Sequence, residues 1–128
     1  MLCNTTTTFF HIDVVMNVMD SMPVLLRNVV RNLNHWVAFK LVGGPKSPRD
    51  AIGARIFVSA GGARQRGDVF SGGSYASSSD QRLHFGLGSA TKVDKVEIDW
   101  PSGTKEELRV PSVDRIFTII EGKGIVAP

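Results

Sequence analysis

Five arginines, Arg49, Arg55, Arg64, Arg66 and Arg82, carry the strongest binding chemistry in this sequence. A guanidinium offers forked donors that match carboxylate, sulfate or phosphate oxygens. In Arg64-Gln65-Arg66 the alternation of an extended strand sends both arginines to one face. Lys40 or Arg55 on a neighbouring strand would extend the Arg64/Arg66 face into an anion-binding stripe, and Arg49 joins Arg55, Arg64 and Arg66 in the candidate set. The bland counterpart is a solvated strand face. Aromatic side chains able to stack on bases are few, Tyr75 and Phe70, so nucleic acid is the less expected anion. A net charge of +3 permits an anionic partner without demanding one.

Catalytic and metal patterns are weaker. His11, His35 and His84 fall in separate strand-like segments, and nothing in their spacing makes them converge as ligands. Asp13, Asn17 and Asp20 sit along an alternating segment, whereas calcium takes six to eight oxygens from a tight loop. Gly43-Gly44-Pro45-Lys46-Ser47 lacks the following helix that a phosphate loop needs, because Pro48 and a strand-like run come next. A hydrolase would have to pair Asp50 or Asp80 with His84 in one pocket. No zinc-protease, nucleophile-elbow or dinucleotide pattern is present. The expectation is a protein with no catalytic residues, no metal and no cofactor.

The elements that must position these side chains are strands. Apolar residues alternate with a period of two over 11–19, 35–42, 52–60, 93–100 and 114–121, and each run ends at Gly, Pro, Asn, Asp or Ser. His11 to Met19 and Val24 to Asn28 pair as a hairpin around Asp20-Ser21-Met22-Pro23. Gly61-Gly62 is short enough to turn a second hairpin. Residues 71–80, with five serines, read as a long functional or surface loop. No segment has helical periodicity. Seven or more short strands imply an all-β, antiparallel sandwich or barrel-like domain. At 128 residues and 42% hydrophobic the chain suits one real core, and no apolar run reaches the about 18–20 residues of a membrane span. Cys3 has no disulfide partner, and the first ten residues lack signal-peptide features.

Five ordered blocks then resemble one family. They are Asn34-His35-Trp36, residues 47–55, Gly73-Ser74-Tyr75-Ala76-Ser77, residues 83–88, and Trp100-Pro101-Ser102-Gly103. The series resembles the ASPIC and UnbV domain of the cartilage acidic protein family. That resemblance implies a C-terminal module following FG-GAP/VCBS-type repeats of a calcium-binding β-propeller, usually exported. Residues 1–33 then hold a hairpin remnant of the last repeat, without its Asp-rich loop, and residues 34–128 form the sandwich. The chain is expected to be a fragment or truncated frame of a secreted, periplasmic or cell-surface parent.

The resemblance supplies no catalytic mechanism. Gly53, Gly86, Gly88 and Gly103 are expected at bulges and turns where a Cβ would clash, and Asp50 is expected to tie its loop to Arg49 or Arg55. The expected ligand-binding group is Arg49, Arg55, Tyr75, Ser77 and His84, near glycine-rich connections able to converge at one end of a sandwich. The function so implied is a noncatalytic module that caps a propeller and presents loops to a glycan, matrix component or protein. The alternative is anion or RNA binding through Arg49, Arg55, Arg64 and Arg66. Residues 12–28, built to pair inside a propeller, are expected to favour self-association.

Overall fold

The computed structural model describes residues 12–30 and 33–126. The chain divides into two compact units, Met1–Leu33 and Asn34–Pro128. In the first, β1 (Val14–Met16) and β2 (Val24–Leu26) form the expected antiparallel hairpin, with Val14 opposite Leu26 and Met16 opposite Val24. Asp13 closes its base, accepting the Asn28 N–H at 2.8 Å through Oδ1. Val14, Val15, Met16, Val24, Leu25 and Leu26 are all exposed. A lone two-stranded ribbon buries too little apolar surface to be stable by itself. His11 and Cys3 lie outside the described residues.

The second unit contains β3 (His35–Val42), β4 (Arg55–Ala60), β5 (Ala63–Asp68), β6 (Gly73–Ser74), β7 (Ser77–Ser78), β8 (Leu83–Gly88), β9 (Lys95–Asp99), β10 (Lys105–Leu108), β11 (Arg115–Ile120) and β12 (Gly124–Val126). Two four-stranded sheets, ordered β10-β9-β4-β5 and β12-β11-β3-β8, enclose the core. Neither closes on itself, so the architecture is a sandwich. No helix occurs among the described residues.

Alternation places the core as the sequence requires. Val37, Phe39 and Leu41 of β3 point inward beside Phe117 and Ile119 of β11 in the same sheet, facing Ile56 and Val58 of β4 and Val96 and Ile98 of β9 in the other. Phe39 sits at the centre, edge-on to Phe85 at 6.0 Å and stacked with Phe117 at 6.1 Å between ring centroids. Gly61 and Gly62, at φ 57° and 81°, turn β4 into β5 with Ala60 opposite Ala63. Two consecutive positive φ values match the twist of a tight hairpin, and glycine takes them without steric cost.

The structure departs from the sequence expectations in three places. First, β11 runs parallel to β3, with Phe117 opposite Phe39, in an otherwise antiparallel pair of sheets. Alternation cannot show direction; a latch does. Asp114, just before β11, donates its N–H to Trp36 O at 2.7 Å and accepts the Trp36 N–H at 3.1 Å. Its other carboxylate oxygen lies 2.6 Å from His35 Nδ1, so β11 starts where β3 starts.

Second, residues 71–80 are a ribbon, not an open loop: Gly73 pairs with Ser78 and Ser74 with Ser77 around a Tyr75-Ala76 turn. Third, the expected clash is absent at all four glycines: a Cβ at Gly86, Gly88 or Gly103 would meet nothing within 4 Å and one at Gly53 only Pro101 Cγ at 3.8 Å, while Gly53, Gly88 and Gly103 have positive φ. The close approaches are elsewhere, at Gly43 and Gly67, where a Cβ would lie 2.0 Å from Pro48 O and 2.8 Å from Phe85 Cζ. Gly67 lies at the β5 edge, where the ring tip of Phe85 from β8 comes up against the strand. Nearby, Gln65 Nε2 donates to Gly86 O at 2.7 Å and ties these two edges together.

Candidate functional site

The outer face of the β12-β11-β3-β8 sheet carries the residues left over from the core. His84, Ala38 and Ile116 form one cross-strand row, and Lys40 and Thr118 start the next. Where β3 ends, an open cleft of about 530 Å³ is lined by Lys40, Arg49, Asp50, Asp80, Arg82 and Ile116.

One wall is the loop between β3 and β4. It folds tightly onto Gly43, whose N–H donates to Arg49 O at 3.0 Å. Two turns brace it, from Ser47 N–H to Gly44 O at 3.1 Å and from Ala51 N–H to Pro48 O at 2.8 Å. Glu121, just after β11, fastens it from outside. Its Oε2 accepts the Gly44 N–H at 2.8 Å, and its Oε1 accepts the Ser102 hydroxyl. The Ser102 hydroxyl, then that of Ser47 and the Gly44 N–H, hold the Glu121 carboxyl below its ordinary pKa against the opposing effect of burial. Arg49 and Asp50 thus leave from a fixed support.

The opposite wall is the segment entering β8. Arg82 Nε donates to Asp80 Oδ2 at 2.7 Å, and the Arg82 N–H to Asp80 Oδ1 at 2.9 Å. These bonds lower the Asp80 pKa, with burial opposing. Two residues on, burial lowers the His84 pKa, opposed by nearby Asp80 and aided by Arg82. The imidazole is therefore biased toward its neutral form.

Between these walls the chemistry is available. Among the described residues no ion pair engages Lys40, Arg49 or Asp50, although ion pairs are common elsewhere on the domain. Asp50 accordingly does not tie its loop to Arg49 or Arg55, as expected from sequence; Arg55 instead lies 3.6 Å from Asp99. The cleft can offer a fork and an ammonium to an anion, and a carboxylate to hydroxyl donors.

The expected binding residues are only partly gathered. Arg49 lines the cleft, and His84 lies on the outer face of the same sheet. Ser77 belongs to β7, and Tyr75 stands at the tip of the ribbon, 98% exposed. Arg55 is on the other sheet, in β4. There it shares an outer face with Arg64 and Arg66, as the alternation implied, but each has a carboxylate partner. Arg64 meets Glu97 at 3.0 Å while its guanidinium covers the Phe57 ring at 4.2 Å, and Arg66 meets Asp68 at 2.7 Å. Lys95 and Lys105 add contacts to Glu97, Glu107 and Asp99. That face is a lattice of mixed charge.

Among the described residues no group of three or more His, Cys, Asp or Glu side chains could hold a metal ion. Sequence reasoning missed the supporting role of Glu121 and Ser102, and the grouping of Lys40 with Arg49. The only signal was weak: Ser102 lies in a Pro-Ser-Gly turn and Glu121 before a glycine.

A comparison with curated proteins finds no match. Residues 44–126 match the family model described as ASPIC and UnbV, covering nearly all of the braced loop, the strands from β4 to β12 and Glu121, while β3 lies just before the match. The chain belongs to the ASPIC and UnbV family.

Proposed function

We propose that this ASPIC and UnbV family member is a noncatalytic interaction module of extracellular setting, which caps or extends a β-propeller and presents loops to a glycan, matrix component or protein. The observation that carries this reading is the ribbon β6-β7. Tyr75 is 98% exposed at its tip, and Phe70, 60% exposed, packs against Gly73 at its base. Two large aromatic rings exposed on one short ribbon form an apolar surface that a partner can cover, and aromatic side chains supply contact area at little entropic cost. Ser77 and Ser78, both exposed, add hydroxyl donors and acceptors to the same ribbon.

Of Asp50 and Asp80, the carboxylates that a hydrolase reading would pair with His84, Asp80 is already bonded to Arg82, which favours a supporting role for it in the cleft wall. The exposed apolar hairpin β1-β2 supports a propeller remnant that covers itself by association. The anion or nucleic-acid alternative draws less support, because Arg55, Arg64 and Arg66 are offset by Asp99, Glu97 and Asp68.

The test is a screen of the intact chain against arrayed glycans and matrix proteins, with a nucleic-acid control, at low and high salt. Binding to a defined glycan or matrix component in preference to nucleic acid, retained at high salt apart from any part carried by charged sugars, is the expected result. Binding confined to nucleic acid and lost steeply with salt contradicts it, because phosphate contacts release counterions.

A further inference from the structure

We infer that the cleft between the braced 43–50 loop and Arg82 is a subsite for an acidic saccharide carrying one negative charge per charged sugar, a uronate or a sulfate ester. This deepens the interaction-module reading and rests on it. Arg49 and Lys40 line the cleft with no ion-pair partner among the described residues, and such exposed cations beside Arg82 offer a forked and a point donor to one anionic group.

Charge balance limits the anion. Asp50 and Asp80 line the same cleft, so its three cations face two carboxylates. A phosphate dianion or a continuous nucleic-acid backbone meets those carboxylates at close range, and like charges repel. A single charge set among hydroxyls meets less of that repulsion and leaves hydroxyl donors for the carboxylates. Asp50, which has no ion-pair partner among the described residues, accepts from sugar hydroxyls, while Ile116 supplies an apolar floor for a C–H face. The volume, about 530 Å³, falls within the range of small-molecule sites.

Preorganisation favours this cleft over a loose basic surface. Glu121 and Ser102 lock the loop that carries Arg49 and Asp50, and Arg82 is held by Asp80. The loop backbone is thus ordered before binding, and the ordering cost on the protein side is confined to the side chains of Arg49 and Lys40.

The experiment titrates the intact chain by calorimetry with three oligosaccharides of equal length: a hyaluronan hexasaccharide, charged only by carboxylates; a keratan sulfate hexasaccharide, charged only by sulfates; and neutral chitohexaose. At least one charged saccharide should bind, with chitohexaose at least tenfold weaker; which one binds identifies the source of the charge. Arg49→Gln should weaken binding about tenfold, as expected for loss of a charge-assisted hydrogen bond, and Lys40→Met should add to the loss. Unchanged thermal midpoints check that both variants fold.

Equal binding of chitohexaose, or full binding by the Arg49→Gln/Lys40→Met variant, overturns the inference. If binding is lost in Tyr75→Ala alone, the cleft is not the subsite, and the module reading stands. If none of the three saccharides binds, the inference falls, and the wider array decides the module reading separately.

Discussion

Glu121 accepts the backbone N–H of Gly44 at 2.8 Å, linking the end of β11 to the loop that carries Arg49 and Asp50. The sheet thereby sets the position of a surface loop whose own sequence, with two glycines and two prolines, would leave it loose. Removing the acceptor as Glu121→Ala should raise hydrogen exchange at residues 43–50 while leaving β3 and β4 amides protected. Equal protection in variant and wild type would show that the loop holds itself.

The same carboxylate makes stability depend on pH. Its folded pKa is lowered, by Ser102 first, from the ordinary 4.5, and that of Asp80 is lowered, by Arg82 first, from 3.8. A lowered folded value means the unfolded chain binds more protons. The stabilisation is therefore complete above the ordinary values and is lost as pH falls below about 4.5 and on through the folded values. Urea unfolding should show stability falling over that acid range, with a shallower fall in Glu121→Gln.

Two glycines separate packing from pattern. Gly67→Ala would bring a Cβ to 2.8 Å from Phe85 Cζ and 3.3 Å from Leu83 Cδ1, an overpacking expected to cost about 1–3 kcal/mol. Gly86→Ala meets no atom within 4 Å and should change stability by no more than about 0.5 kcal/mol. Chemical denaturation of both variants checks the order, and a reversed order would contradict the packing described between β5 and β8.

Strands such as β3 were legible because Val37, Phe39 and Leu41 alternate with Trp36, Ala38 and Lys40; the first three are buried and Lys40 is exposed, while Ala38 is buried as well because the other face of the strand is partly covered. The β4-β5 hairpin was equally plain from Gly61-Gly62. Direction was not legible: a parallel β11 has the same pattern as an antiparallel one, and Asp114, which decides it, bonds to His35 far away in the chain. Residues 71–80 hid a ribbon because serines and glycines carry no alternation, although their backbone groups still pair. Of the candidate site, Arg49 was found from residue type alone. Its company with Lys40 and its support by Glu121 depend on tertiary contacts that no local spacing encodes.

The hairpin β1-β2 presents Val15 and Leu25 directly opposite each other, both exposed. We expect concentration-dependent association through residues 12–28, visible by light scattering over a hundredfold dilution series. Val15→Lys with Leu25→Lys should yield a monomer throughout, because facing charges on an unpaired ribbon oppose strand addition. A wild-type chain that is monomeric at every concentration would count against association.

Tyr75 gives the most direct test of the interaction-module reading. Its side chain is 98% exposed, so Tyr75→Ala should leave the thermal midpoint unchanged. The measurement is the affinity of wild type and Tyr75→Ala for the strongest ligand on the glycan and matrix array. The account predicts at least a tenfold loss in the variant, as for an aromatic anchor at a contact surface. Equal affinity, with the fold intact, would contradict it.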